Sequence, residues 1–351
     1  MQLRPSHNRM SLLYAAICVI ALTSTANSAN AQLSGVGPIP IRDSRPYNLL
    51  FLQLRPESAQ TLSKGSSSWN VQLDLINNML VPAPYNGIDI VEDNEYDRLS
   101  LHHARGIGHA IEITFDTSLI FRNGGILDDL MNAWHRFTGF GNTEDDPAGR
   151  QNLPAFKSHL ILTDGSGKSI VNQGNAFGLG ESALGIKKLI SQSNRSTISA
   201  RLGVKLPTGN PRLFLGSGRP DIGASVDVDY RLANHLIAYA NLGGVLTGGM
   251  RRLPGVSRTV GQVMGAIEYH PNSRDSYIIQ SDASAPTVTT GNPFVDRANI
   301  TGTFGYARKL SSTKSAYISF SENGDYHNYT IPQIGNIGPD FSVTVGMQFR
   351  R

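Results

Sequence analysis

The sequence holds one cysteine, Cys18, inside an N-terminal stretch expected to be removed, which excludes a thiol nucleophile, a disulfide or a Cys-rich metal site from the remainder. After that stretch no run approaches the roughly 18 consecutive apolar residues of a spanning helix, which excludes a helical membrane protein. Charge is scarce as well: Asp, Glu, Lys and Arg make up 17% of the chain, with no Lys/Arg block of the kind that binds nucleic acid. The 36 glycines follow no collagen-like period. Nothing in the pattern implies a cofactor or a metal.

The N-terminus carries Arg4, His7 and Arg9, an apolar run from Met10 to Leu22, and then TSTANSANAQ. This order is that of a secretory signal peptide, residues 1–31, with Ala29-Asn30-Ala31 at the cleavage site and Gln32 as the first mature residue. The apolar run is shorter than the ~20 residues of an anchor helix. Cys18 lies inside it, not just after it as a lipidated cysteine would. Without Arg4 and Arg9 the 31 basic residues become 29 against 27 acidic ones, a net charge near +2.

Export leaves one membrane architecture open, a closed barrel whose strands need only ~9–11 residues each. The C-terminal stretch DFSVTVGMQFRR fits it. Phe341, Val343, Val345, Met347 and Phe349 alternate with Ser342, Thr344, Gly346 and Gln348, placing one set on lipid and the other on the lumen. The same period of two runs through Ser67–Val81, Glu95–Arg105, His109–Phe121, Asn175–Ser191, Arg195–Leu206, Asp221–Arg231, His235–Thr247, Thr259–His270, Asp275–Ala283, Ala298–Lys309 and Lys314–Glu322. Between them, short connections (106–108, 192–194, 232–234, 271–274, 310–313) alternate with long ones rich in Gly, Pro, Asn and Asp (82–94, 122–174, 207–220, 248–258, 284–297, 323–339). That is the wiring of an outer-membrane barrel with both chain ends on the short-turn, periplasmic side, and not of a Greek-key sandwich.

Phe156–Thr163 (FKSHLILT) also alternates, but counting it as a barrel strand would put the following long loops on the wrong side. Without it the expectation is an all-β, antiparallel transmembrane barrel of about twelve strands, with ten or fourteen as the neighbouring alternatives. Residues 32–66 form an arm that could lie in the lumen, residues 67–351 the barrel, and 122–174 an extracellular insertion containing one short amphipathic helix and a small hairpin.

Several stretches carry a resemblance. SGVGPIPIRDSRPYNLLFLQLRP, the GG-LDD-x-x-x-x-WHRF run at Gly124–Phe137, and GLGESALGIKKLI with GVKLPTGN and SGRPDIG resemble an uncharacterised Gram-negative family, domain of unknown function 3187. The LPTG and SG-x-x-D pattern also resembles, more loosely, predicted outer-membrane channel families of the aromatic-degradation type. The resemblance covers most of the mature chain and implies an outer-membrane barrel, without catalytic residues. One departure concerns the end: Arg350 and Arg351 follow Phe349, where barrel assembly signals commonly close on the aromatic.

Within Gly124–Gly141, Ile126, Leu127, Leu130, Met131, Trp134 and Phe137 fall on one helical side, and Asp128, Asp129, Asn132, His135 and Arg136 on the other. Such a helix can lie at the membrane interface or fold inward as a gate, with Asp128, Trp134 and His135 its candidate residues. Asp128 with His135 would also suit an acid–base pair, against the blander reading of a solvated polar face. His102, Ser100 and Arg98 share the inward face of one strand, which keeps hydrolysis in view. His102 and His103 cannot ligate together, because neighbouring strand side chains point oppositely. The loop 207–220 carries neither GxxxxGK[ST] nor a following helix and reads as a turn-forming loop.

Strand parity places Arg98, Glu112, Asp116, Glu181, Lys187, Arg201, Lys205, Asp227, Asp229 and Glu268 toward the lumen. They either set a transverse field for a passing solute or form a self-neutralising network that closes a narrow lumen. The functional expectation is a passive channel for small solutes, partnered by outer-membrane lipid and by the barrel assembly machinery through the C-terminal strand. The alternatives are an outer-membrane lipid hydrolase and a non-conducting structural or adhesion barrel.

Overall fold

The computed structural model describes residues 35–80, 89–138, 156–164, 166–291, 296–323 and 337–351. The expected signal peptide lies outside them. The chain forms β1 (Ser67–Leu80), β2 (Asp89–Gly108) and β3 (Ile111–Asn123), then α1 (Asp128–Thr138) and a hairpin of β4 (His159–Thr163) and β5 (Ser169–Gln173). It continues through β6 (Ala176–Leu179), β7 (Ser182–Gln192), β8 (Ser196–Leu206), β9 (Asp221–Ala233), β10 (Leu236–Leu246) and β11 (Thr259–Tyr269). The last strands are β12 (Asp275–Ser284), β13 (Asn299–Lys309), β14 (Lys314–Asn323) and β15 (Ile337–Arg350).

All neighbours pair antiparallel, and β1 pairs with both β2 and β15, so the sheet closes on itself. The protein is an all-β, closed twelve-strand barrel. Of the fifteen strands, β4 and β5 lie outside that count and β6 is a forward piece of β7. Both β6 and β7 pair with β3, and the Gly180 N–H between them donates to the Ser118 carbonyl at 2.8 Å. The FKSHLILT stretch supplies β4, which pairs with Asp89–Asp93 of β2 above the point where β3 ends. It therefore extends the wall at the long-loop end and is no barrel strand.

The parity of the strands shows in their burial. On β9, Asp221, Ser225, Asp227 and Asp229 are buried, while Ile222 and Tyr230 are exposed. Leu242, Ile279, Phe304 and Val345 stand exposed around the circumference, an apolar exterior that suits lipid.

Two elements differ from expectation. The β2–β3 turn sits at His109-Ala110, both with positive φ (53° and 56°), and not at 106–108. Gly106 instead lets the arm pass: a Cβ on it would overlap the backbone of Leu62 and Ser63, which crosses it. Phe341 does not meet lipid directly. It is 2% exposed and clusters with Met79 and Leu127, its ring stacked on Phe320 at 5.8 Å. Asn77 points outward with the parity of Trp69 and Val71, and the chain leaving β3 folds over this outer seam between β1 and β15, beside a register shift at Asn77/Asn78.

That placement also corrects the reading of the loop helix. Leu127 is 8% exposed against the seam, whereas Ile126 and Phe137 are 81% and 84% exposed. Asp128 is buried, accepting from Asn77 Nδ2 at 3.3 Å and from the Phe156 N–H at 2.6 Å. Glu95, on the outer face of β2, accepts the Leu127 N–H. Asp128 thus belongs to neither a solvated face nor an inward gate; it fastens the start of α1 to the barrel exterior. The side chains of Trp134 and His135 lie outside the described residues.

Candidate functional site

The lumen is occupied by the arm. From Gly35 at the short-turn rim the chain rises to a turn at residues 46–50 and returns through Leu52–Leu62 to β1, with no regular secondary structure. Pro38, Pro40 and Pro56 keep both legs extended and remove three N–H donors. The remaining buried N–H groups need partners, since an unpaired one costs about 1–3 kcal/mol, and the barrel wall provides them.

On the rising leg Glu268 accepts the N–H groups of Val36 (2.9 Å) and Gly37 (3.2 Å). The Gln280 amide accepts the Ile39 N–H at 2.9 Å and donates to the same residue's carbonyl at 3.0 Å. On the returning leg Asp221 accepts from Leu52, Gln262 from Leu54, Asp229 from Ala59 and Glu112 from Leu62, all at 2.8–2.9 Å. Asn241 takes the Glu57 N–H and gives to the Glu57 carbonyl, each at 2.9 Å. Aliphatic side chains enter between these clamps. Ile39 and Ile41 meet Ile237, Met264 and Ile278, while Leu52 and Leu54 pack on Val245 and Val260 over the bare backbone of Gly223.

Ion pairs bind the same leg. The Glu57 carboxylate lies 3.1 Å from Lys187, 3.5 Å from Arg201 and 4.0 Å from His102 Nε2. Burial pushes the Glu57 carboxyl up, but Lys187, Arg201, His102 and Arg55 together hold it well below the usual carboxylate range. Arg42 reaches Asp116 at 3.1 Å, and Asp116 also meets His102 Nδ1 at 3.0 Å.

Eight of the ten residues expected in the lumen have such partners. Arg98 pairs with Asp74 at 2.9 Å, Glu112 with Lys187 at 3.2 Å, and Asp227 with Arg201 at 2.7 Å. Lys205 meets Asp221 at 2.9 Å, the Leu50 carbonyl at 2.6 Å and Glu181 at 3.4 Å. Asp229 and Glu268 hold arm backbone. Glu181 stands apart in function: in the break between β6 and β7 it accepts the N–H groups of Thr208, Gly209 and Ser217 and so shapes the 207–220 loop. The arrangement is a network closed on the arm, with little free charge left to line a pore. Sequence reading missed Glu57 and Asp74, and the amides Asn241, Gln262 and Gln280. Inward strand parity was a signal for Asp74 and the three amides, but an uncharged amide on a polar face does not announce a partner, and Glu57 lies on the arm, where no strand parity applies.

At the long-loop mouth Tyr47, Leu50 and Phe51 of the arm's turn join Phe214, Met250, Leu253, Val288 and the hairpin residues Leu160 and Leu162 in one buried cluster. The described part of the mouth is therefore packed, with Arg45 and Asn48 of the same turn also buried. At the opposite end a cavity of about 130 Å³ opens between the legs, among Asn70, His102, Lys187, Tyr317, Gln348 and Arg350. His102 has Asp116 on one ring nitrogen and Glu57 near the other, and no described serine hydroxyl stands at hydrogen-bond distance from it.

Residues 14–351 match the family described as Protein of unknown function (DUF3187). The chain belongs to DUF3187. A search of curated proteins gives no match. Among solved structures, this DUF3187 barrel is similar to the COG4313 outer membrane channel from Pseudomonas putida F1. That likeness has 11% identity and a TM-score of 0.52, and covers 85% of this chain and 100% of the other. It is also similar to the NanC porin, with 9% identity and a TM-score of 0.45 over 80% of this chain and 98% of that one. The first likeness concerns the fold, that of an outer-membrane barrel.

Proposed function

We propose that this DUF3187 protein is a passive outer-membrane channel for small solutes, closed in the present conformation by its own arm. The observation that carries the reading is the nature of the lumen's contents. The filling is a strand-free segment whose main chain is held by wall side chains, and not a set of wall side chains meeting across the axis as in small barrels. Movement of the arm toward the short-turn end would leave a polar passage, continuous with the cavity already present there.

Export through residues 1–31, a place in outer-membrane lipid and insertion through β15 by the barrel assembly machinery belong to the same reading. A non-enzymatic role fits the surroundings of His102, which pair it with carboxylates. Planar-bilayer recording tests the channel: brief ohmic steps are expected from the whole chain, with longer openings when the arm's ion pairs are weakened. Clean preparations that stay silent under both conditions would favour a structural barrel.

A further inference from the structure

The arm is held to a large extent by its main chain. Three wall amides read backbone in a way that disregards sequence: Asn241 and Gln280 each bracket the N–H and C=O of one extended residue, and Gln262 accepts from Leu54 while donating to the Leu52 carbonyl at 3.4 Å. Cationic side chains take further carbonyls, with Arg201 on Arg55 at 2.7 Å and Lys187 on Ser58 at 3.3 Å. Between these clamps the wall is hollowed for aliphatic side chains. A Cβ on Gly305 would stand 2.9 Å from Ile39 Cγ1, and one on Gly223 would stand 3.0 Å from Leu52 Cδ2. Main-chain hydrogen bonds with pockets for intervening side chains are how proteins bind extended peptides of loosely defined sequence.

We propose that the lumen is a peptide-binding groove whose resident occupant is the arm, and that the solutes it accepts are extended oligopeptides with aliphatic side chains. A sugar or an inorganic ion offers no regular N–H and C=O repeat for Asn241, Gln262 and Gln280 to bracket. Proline suits this groove where it suits the arm, at positions facing no acceptor. The inference rests on the reading of the arm as a displaceable occupant of a channel.

The test uses the full chain in detergent micelles, with a terminally blocked Ala-Leu-Ala-Leu-Ala-Ser hexapeptide as the probe. The control is the same peptide N-methylated at alternate positions. Hydrogen exchange at the arm amides between Leu52 and Leu62 is expected to quicken at least tenfold with millimolar probe, and not with the control. A second measurement uses Ala59→Cys on a Cys18→Ala background, since Ala59 is fully buried against Asp229. Its maleimide labelling should rise with the probe alone. Unchanged exchange and labelling, or equal effects of both peptides, would overturn the proposal. Bilayer currents from the same preparation judge the channel separately. Current without displacement by peptide removes the peptide reading alone, and displacement without current removes the channel reading alone.

Discussion

The Glu57 carboxylate lies 3.1 Å from the Lys187 ammonium and 3.5 Å from the Arg201 guanidinium, so one arm residue joins two neighbouring wall strands. Each cation keeps another carboxylate, Glu112 or Asp227, when Glu57 is lost. Removing one member of a buried ionic cluster still leaves charge poorly matched, at a cost of about 3 kcal/mol. Glu57→Ala is therefore expected to loosen the returning leg while the barrel persists. Hydrogen exchange of the Glu57–Leu62 amides should quicken by about a hundredfold, a rate change that corresponds to that energy.

Acid should act through the same carboxylate. The Glu57 carboxyl is held below its ordinary value, so its contribution is complete above the unfolded-state value of about 4.3 and declines as pH falls through the lower folded-state value. Glu57's share in holding the arm is expected to be constant between neutral and about 5, and channel openings to lengthen as it is lost below about 4. Bilayer recordings across that range check this, and Glu57→Gln should abolish Glu57's part of the acid response.

Gly305 faces the lumen with a vacancy filled by Ile39, where an added Cβ would come within 2.9 Å of the Ile39 side chain. Gly305→Val should displace the rising leg at a cost of about 1–3 kcal/mol, typical of overpacking. Heat-modifiable gel mobility should show a folded barrel, and exchange at Ile39 should rise. Exchange in the returning leg, at Leu52 and Leu54, should change much less.

The α1 anchor makes the opposite prediction. Leu127 covers Met79 and Phe341 on the outer face, so Leu127→Asp should free the helix from the wall without touching the lumen. Limited proteolysis within residues 124–138 should accelerate severalfold. Single-channel conductance should stay as it is; a rise would restore the helix to a gating role.

The barrel was legible because its determinants are local. Alternation on β9, from Ile222 outward and Asp221 inward to Tyr230 outward and Asp229 inward, follows from the pleat alone. Loop lengths then supplied the strand count. The site was legible only by half, since parity can send Asp229 and Glu268 inward without showing what waits there. Both turned out to hold arm backbone, through hydrogen bonds spanning 170 and 232 residues. Phe341 failed for a related reason. Its apolar side chain and outward parity say lipid, but the chain leaving β3 lays Leu127 over it, a tertiary event with no local pattern.

The returning leg runs without a break from Leu62 into β1 at Ser67, and at the rim the Gly65 N–H still donates to the Gly106 carbonyl at 2.9 Å. Any release of the arm is therefore a unimolecular event, and the freed segment remains within reach at an effective concentration on the order of millimolar. A competing peptide must work against that local supply, so weak ligands will go unnoticed at micromolar levels. Open lifetimes should depend on the length of the residue 62–67 connection and be indifferent to how many barrels share the membrane. Lengthening that connection with glycine and serine is the direct way to slow reclosure without altering a single contact in the lumen.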